Sequence, residues 1–508
     1  MGDEIELKFQ VAPRDLRKLK AARGLRRKPP KEETLVSVYF DTPKHKLARN
    51  GVSLRVRHNG DKRLQTIKSG GANGSLMRGE WEHEIKGDVP NLRKAHGTPL
   101  APLLTKKLKR RLKPIFETHI HRTSVPILKN RSRIELALDE GEVRAGRQSA
   151  PISELELELK RGNAGDLFKL AREMGKLAPA TLSLKSKSER GYDLIENAPA
   201  QAVRAEKILL RRGMSTADAF RTIGRSVLRH IAANEAAVRR SDSEGVHHMR
   251  VGLRRLRAAM SLFSKLLGDQ ETERVKSELK WLTGELAPAR DIDVYVRNEI
   301  EPLRGAAPAR RGMKELAGGL TLRRDAAFGK ARAAVESRRY RSLLLDTLQW
   351  LETGDWAKRA RYYKHRPIER FAADIFARRT KKAMKKAKRI RQLDSQQRHK
   401  LRIAVKKLRY AGDFFGHLFA GRTAKKRLPL FKARLTDLQD RLGALNDIQV
   451  HQKLAPKLAA GKPRAKAARA QAFAVGVVSG REQGEIEPLL NAADKNARKF
   501  SHIRPFWI

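Results

Sequence analysis

Along residues 1 to about 195, apolar and polar positions alternate with period two in many short segments. The first sets Ile5, Leu7 and Phe9 against Glu4, Glu6 and Lys8. Clusters such as Asn59-Gly60-Asp61 and Ser69-Gly70-Gly71 punctuate these segments, which predicts antiparallel strands joined by turns. From about residue 215 the spacing becomes helical, with Ala, Leu, Arg and Lys dominant. Asn197-Ala198-Pro199-Ala200-Gln201 reads as the connection between the two. The expected organisation is a strand domain over 1–197, a linker over 198–214 and a helical domain over 215–505, a multidomain α+β chain.

The helical half repeats itself. Asp242-Ser243, His247, Arg250, Arg254, Leu256 and Arg257 recur as Asp394-Ser395, His399, Arg402, Lys406, Leu408 and Arg409, at an offset of 152. Asp291-Ile292 recurs as Asp447-Ile448 at an offset of 156. One duplication, covering about 220–300 and 371–455, explains both offsets. Between the copies, residues 305–370, with Ala307-Pro308-Ala309, read as a loop, a helix pair and a second connection. Residues 461–470 read as a loop before a last helix.

At 508 residues with 40% hydrophobic content, the chain can bury two or more cores, so global disorder is unexpected. The absence of cysteine excludes disulfides, thiol nucleophiles and Cys-ligated metals, leaving carboxylates and histidines as metal ligands. No run approaches the length of a membrane span, and the start is acidic where a secretory signal is basic, so a soluble cytoplasmic protein is expected. The net charge of +55 implies a polyanionic partner. Both halves are basic, the helical one more so.

Charge is segregated by sign among the strands. Glu4 and Glu6 share a face with Lys8, Glu154, Glu156 and Glu158 share one with Lys160, and Arg55 shares one with Arg57. Lys68, Arg122 and the pair Lys185/Lys187 add cations on other strands. A solvated sheet face is the simple alternative, but like charges two residues apart repel, and surface strands normally mix signs. Several such strands favour an inward charged face closed as a barrel, with cations neutralising the glutamates and phosphates neutralising the arginines.

The ExExK run Glu4-Ile5-Glu6-Leu7-Lys8 resembles the start of a CYTH domain. The resemblance continues through Tyr39-Phe40-Asp41-Thr42, Gly51-Val52-Ser53-Leu54-Arg55-Val56-Arg57, Thr66-Ile67-Lys68, Arg78-Gly79-Glu80-Trp81-Glu82, Arg122-Thr123, Glu135-Leu136-Ala137-Leu138-Asp139 and Ser186-Lys187-Ser188-Glu189-Arg190-Gly191. It implies an eight-stranded antiparallel tunnel that binds a triphosphate. It also implies that Glu4, Glu6, Glu154 and Glu156 are metal ligands and that Lys8, Arg55, Arg57, Lys68, Arg122 and Lys187 are phosphate contacts, with Lys8, Glu4 and Glu6 as the catalytic set. Glu158 and Lys185 share those faces, and either could join the site. Hard oxygen ligands of this type suit Mg²⁺ or Mn²⁺, and phosphoryl transfer needs charge neutralisation more than covalent help.

On a helix of about 100° per residue, His247, Arg250, Arg254 and Arg257 form one basic stripe opposite Met249, Leu253, Leu256, Met260 and Phe263. His399, Arg402, Lys406 and Arg409 repeat it, with Leu401, Val405, Leu408 and Phe415 behind. The Asp-Ser pairs sit where helix starts belong. This duplicated pattern resembles the CHAD domain, which implies two pseudo-symmetric four-helix bundles whose stripes bind long-chain polyphosphate. Arg255 and Lys407 fall off the stripe. His230, His365, His417 and His451 read as structural or surface residues.

The combined expectation is a metal-dependent inorganic triphosphatase joined to a polyphosphate-binding module, cytoplasmic and able to associate with polyphosphate granules. Its rivals are a nonenzymatic polyphosphate-binding protein, and an organic triphosphatase or adenylate cyclase. Two acidic strands argue against pure anion capture. Nucleic acid is expected to bind only nonspecifically, since no recognised motif is present and the aromatic fraction is 6%.

Overall fold

A computed structural model describes residues 3–22, 29–69, 77–196, 201–303, 310–359, 361–459 and 465–508. The Gly70-Gly71 turn, the Asn197–Ala200 connection, the Ala307–Ala309 loop and the Gly461–Arg464 segment lie outside these residues. The chain divides into two compact units, Met1–Gln201 with Ser337–Gly354, and Ala202–Glu336 with Asp355–Ile508.

The first unit is built on nine antiparallel strands: β1 (Asp3–Val11), β2 (Lys31–Asp41), β3 (Val52–Asn59), β4 (Lys62–Ser69), β5 (Met77–Glu84), β6 (Lys113–Lys129), β7 (Ser132–Ala145), β8 (Gln148–Arg161) and β9 (Ala180–Ser183). Their order is β5-β4-β3-β2-β6-β7-β8-β1-β9, and β5 also pairs with β1. Eight strands therefore close into a ring. β1 divides one edge between two neighbours, offering Asp3–Ile5 to β5 and Lys8–Val11 to β9. Closure leaves fewer unpaired backbone edges and gives the sheet an inside.

The strand alternation sorts side chains between the two faces. Val52, Leu54 and Val56 of β3 turn outward and pack with Leu47, Leu100 and Leu108. On β7 and β8, the apolar positions Leu136, Leu138, Leu155 and Leu157 are buried, and helices α1 (Pro13–Ala21) and α2 (Ala164–Leu177) pack on these strands. Asn163 caps α2 by accepting from the Gly165 amide at 2.7 Å. Phe168 on its inner face is fully buried, a contribution of about 1.5–3 kcal/mol.

Helices, among them α1, α2 and a third, interrupt the expected all-strand pattern of this unit. The third, α3 (Lys187–Ile195), starts at a capping box in which Ser186 and Glu189 satisfy each other's backbone amides. It lies so close to β6 that a Cβ on Gly191 would stand 2.3 Å from the Phe116 ring, so only glycine fits there.

The second unit holds α4 (Thr216–Ala233), α5 (Ser243–Leu262), α6 (Gln270–Tyr295) and α7 (Arg310–Glu336) in the first half. Its second half holds α9 (Ile368–Ala387), α10 (Ser395–Phe415), α11 (Arg422–Ala459) and α12 (Ala465–Ser501). Successive helices pack in each set of four, and the sets meet through α5 with α10 and α7 with α12. Asp242 and Asp394 cap α5 and α10, so both Asp-Ser pairs do start helices. The apolar faces behind both stripes are buried, from Met249 to Phe263 and from Leu401 to Phe415. No helix among the described residues is long and apolar enough to cross a membrane.

Helix α8 (Arg338–Thr353) comes from the expected helix pair between the repeats but belongs to the strand unit, packing on α2 and β9. Arg172 of α2 donates to Asp346 at 2.7 Å and also to Gln349. A fragment of residues 1–201 should therefore melt at a lower temperature than the same fragment carrying residues 337–354 on a flexible linker. Equal melting temperatures in calorimetry would mean that α8 contributes nothing to that unit.

Candidate active site and cationic cleft

Burying one charge inside a closed sheet is costly, and burying many requires each to find a partner. On the acidic side of the barrel, Asp139 of β7 and Glu154 and Glu156 of β8 converge, all buried, with one oxygen from each lying within 4.8 Å of the others. Lys187, at the first turn of α3, reaches all three, at 2.7 Å from Asp139, 3.0 Å from Glu154 and 2.6 Å from Glu156. Arg122 of β6 makes a bidentate pair with Asp139, at 2.7 Å for both bonds, and reaches Glu156 at 2.5 Å. Arg190 lies 2.6 Å from Glu154, and Lys8 of β1 lies 2.9 Å from Glu156 and 3.2 Å from Glu6.

These pairings set the protonation states. Burial pushes the Glu156 carboxyl up, but Lys187, Lys8 and Arg122 outweigh it and hold the group well below the usual range. Burial works against the Lys187 ammonium, yet Asp139, Glu156 and Glu154 hold its pKa well above the ordinary lysine value. The cluster is thus a set of carboxylate oxygen donors held by cations, and it suits a hard divalent ion competing with those cations.

The opposite side is cationic. On β3, Arg55 lies 3.7 Å from Glu80 of β5, which also holds Lys68 of β4 at 2.9 Å. Arg57 differs. It meets only the Ser37 hydroxyl, at 3.4 Å, and no described carboxylate lies within ion-pair distance. Burial first, then Arg55 and Arg122, push its pKa down to about 10. Tyr39 records the same field, since Arg55, Arg57 and Lys187 overcome burial and lower the pKa of its phenol.

The basic stripes of the helical unit hold several guanidinium groups whose buried nitrogens have no partner among the described residues. Arg254, Arg402 and Arg409 each bury their Nε, and Arg250 its Nη1, with no hydrogen-bond acceptor. Arg250 keeps one ion pair, with Asp291 at 3.3 Å. A buried donor left unmet costs about 1–3 kcal/mol, which suits these N–H groups to an acceptor from outside the chain. Lys406 sits among them, pushed down to about 7 by burial first and then by Arg402, Arg254 and Arg409. His247 is pushed down to about 4, by burial and then by Arg290.

Two family models match the chain, the CYTH domain over residues 2–192 and the CHAD domain over 222–456. The chain carries a CYTH domain followed by a CHAD domain. An inorganic triphosphatase of Haemophilus influenzae is 33% identical over 162 residues, which is 31% of this chain and 45% of that protein. The match therefore spans less than half the length of that curated relative. The CHAD domain from the plant Ricinus communis is similar in fold at a TM-score of 0.51 and 30% identity, over 59% of this chain and 96% of that one.

Within the CYTH domain, the structure brings Glu6, Lys8, Arg122, Glu154, Glu156 and Lys187 into one connected network, and Arg55, Arg57 and Lys68 onto its cationic side. Glu4 lies on β1 opposite Arg78, and its side chain is outside the described residues. Glu158 turns to Lys160, and half-exposed Lys185 pairs with Asp193, so Lys187 alone of that pair reaches the carboxylates. Lys187 also stands on a helix rather than the expected strand, because the Ser186 capping box starts α3 there. Asp139 and Arg190 received no role from sequence, although both lie in motif segments. The signal available for Asp139 was its place two residues from Ala137 on the face opposite Leu136 and Leu138.

Within the CHAD domain, Arg254, Arg402, Lys406 and Arg409 meet electrostatically across α5 and α10. His399 is exposed and bonded to Asn446 at 2.8 Å, and exposed Arg257 acts on Lys407. Arg255 is buried over the Phe414 ring.

Replacing Lys187 by Met should destabilise the CYTH domain by about 3–5 kcal/mol at neutral pH, because buried carboxylates lose a shared cation. Glu156 titrates well below its ordinary value when folded, so its stabilisation is present above the ordinary carboxylate range and is lost as pH falls through the lowered value. The deficit of the variant should accordingly shrink in acid. Denaturant midpoints at neutral and acid pH measure this, and a constant or absent deficit contradicts the network.

Proposed function

We propose that the CYTH domain is a divalent-cation-dependent triphosphatase acting on inorganic tripolyphosphate, and that the CHAD domain binds long-chain polyphosphate. The observation that carries the first part is the division of one closed interior into a buried carboxylate cluster and an arginine side, where Arg57 lacks a carboxylate. A linear triphosphate supplies the negative charge that Arg57 lacks, and it suits Arg55, Lys68 and Arg122 as further donors. The 33% identical inorganic triphosphatase supports the choice of reaction.

Glu4, Glu6, Glu154 and Glu156, joined by Asp139, are the residues that would hold Mg²⁺ or Mn²⁺. When bound, such an ion supplies neutralisation of phosphate oxygens and a lowered pKa for attacking water. The chain's own residues do the positioning. Arg55, Arg57 and Lys68 orient the phosphates along the cationic side, and Lys8, between Glu6 and Glu156, stabilises charge where the two sides meet. Against burial, Lys187 holds the Asp139 and Glu156 carboxyls below their usual range.

For the CHAD domain, the supporting observation is the row of buried guanidinium N–H groups without acceptors on Arg250, Arg254, Arg402 and Arg409. Phosphate oxygens meet donors of this geometry, and a chain of them spans both repeats.

Phosphate release from tripolyphosphate, ATP, thiamine triphosphate and long polyphosphate, each with Mg²⁺, Mn²⁺ or chelator, tests the first part. Tripolyphosphate should be turned over fastest, and chelator should abolish release. Arg57→Ala should weaken tripolyphosphate binding by roughly tenfold or more, the loss of one charge-assisted contact. Turnover that survives chelator or a Glu154→Gln/Glu156→Gln pair would sink this mechanism, and preference for an organic triphosphate would redirect the substrate.

Polyphosphate binding should also take up a proton. Lys406 titrates at about 7 in the free protein, and a bound polyanion raises it toward the ordinary lysine range. Affinity should therefore fall as pH rises above that value. Titration calorimetry in buffers of different ionisation enthalpy measures the uptake, which Lys406→Met should remove. No uptake by the unsubstituted protein would place Lys406 outside the binding surface.

A further inference from the structure

A second convergence of acidic groups lies in the helical unit. Glu299, in a π-helical turn over Val296–Ile300 directly after α6, approaches His451 of α11 and Glu482 of α12. One ligand atom from each of the three residues lies within 4.8 Å of the others. His451 Nδ1 stands 2.6 Å from a Glu482 oxygen and 3.9 Å from a Glu299 oxygen. His451 and Glu482 are only 5% and 3% exposed.

The charge balance of this cluster is unusual for the molecule. In a chain of net charge +55, two neighbouring carboxylates would be expected to find Lys or Arg. Among the described residues their only ion-pair partner is His451. With a neutral imidazole the cluster carries two negative charges, the complement of one divalent cation.

An independent observation points to a missing ligand. Tyr295 is fully buried, and its hydroxyl has no hydrogen-bond partner. Its ring meets the His451 ring edge-on, with centroids 4.9 Å apart, and its hydroxyl lies in the field of both Glu482 and Glu299. A buried tyrosine hydroxyl normally finds a partner. Tyr295 follows Asp291 by four residues, and His451 follows Asp447 by four. The two therefore occupy equivalent places in the duplicated element, at the offset of 156 that relates those aspartates.

We propose that Glu299, His451 and Glu482, with the Tyr295 hydroxyl beside them, bind one divalent transition-metal ion that ties the two repeats of the CHAD domain together. An imidazole donor favours Zn²⁺ or a similar borderline ion over the Mg²⁺ suited to an all-oxygen set. His451 Nδ1 is hydrogen-bonded to Glu482 in this structure, and the ion would replace the proton of that bond, with the imidazole proton held on Nε2. The π turn, an arrangement frequent at functional sites, brings Glu299 to the cluster. This site is independent of the tripolyphosphatase reading, and its failure would leave that reading untouched.

The test uses the full chain. Equilibrium dialysis against Zn²⁺ should show one more tightly held equivalent in the unsubstituted protein than in Glu482→Gln or His451→Gln, whose affinity at this site should fall by roughly tenfold or more. Co²⁺ should give a visible absorption band that both substitutions remove. Equal stoichiometry in all three proteins, or a Co²⁺ band unchanged by the substitutions, overturns the proposal. Anomalous scattering at the zinc edge from crystals of the unsubstituted protein gives a readout that does not depend on how the variants fold. A peak between His451 and Glu482 supports the site, and its absence at saturating Zn²⁺ overturns it.

Discussion

Charge buried inside a closed sheet governs the CYTH domain. Such an interior cannot collapse onto itself as an apolar core does, because each ion needs a partner or a solvating ligand. Lys187 carries much of that burden, since among the described residues it alone touches Asp139, Glu154 and Glu156 together. Its position depends in turn on the Ser186 cap that starts α3 and on Gly191, whose missing side chain lets the helix approach Phe116. A backbone detail in a short helix thus determines whether three buried carboxylates share a cation.

The two domains meet the same electrostatic problem in different ways. In the tunnel most charges are compensated within the protein, and Arg57 is left facing a hydroxyl. A ligand there must displace or bridge existing pairs, which favours a small substrate with defined geometry. On the basic helix faces, Arg254, Arg402, Lys406 and Arg409 have no carboxylate within ion-pair distance among the described residues, and burial, joined by like-charge repulsion, pushes the Lys406 pKa down to about 7. Under the proposed reading, a long polyanion would bind there with an affinity sensitive to salt and to pH.

Helix α8 shows how sequence order and structural membership separate. It lies between the two helical repeats in the chain, yet it packs on α2 and β9 and is fastened by Arg172. Its apolar face reads the same wherever it is placed. Only the complementary surface and the position of Arg172 decide which unit it completes.

The amino-acid sequence by itself determined what depends on local periodicity. The alternation of Glu4, Glu6 and Lys8 with Ile5, Leu7 and Phe9 marks a strand with one charged face, and the offset of 152 marks a duplicated basic helix with its cap. These features are legible because side chains two apart on a strand, or three and four apart on a helix, share a face whatever the rest of the chain does. The tertiary structure decided which faces meet. It placed Asp139 beside Arg122, Lys187 on a helix among the acids, Lys185 away toward Asp193, and Glu299 beside His451 and Glu482. Each of those choices rests on contacts between residues far apart in the chain, and a pattern confined to one segment carries no information about its partner.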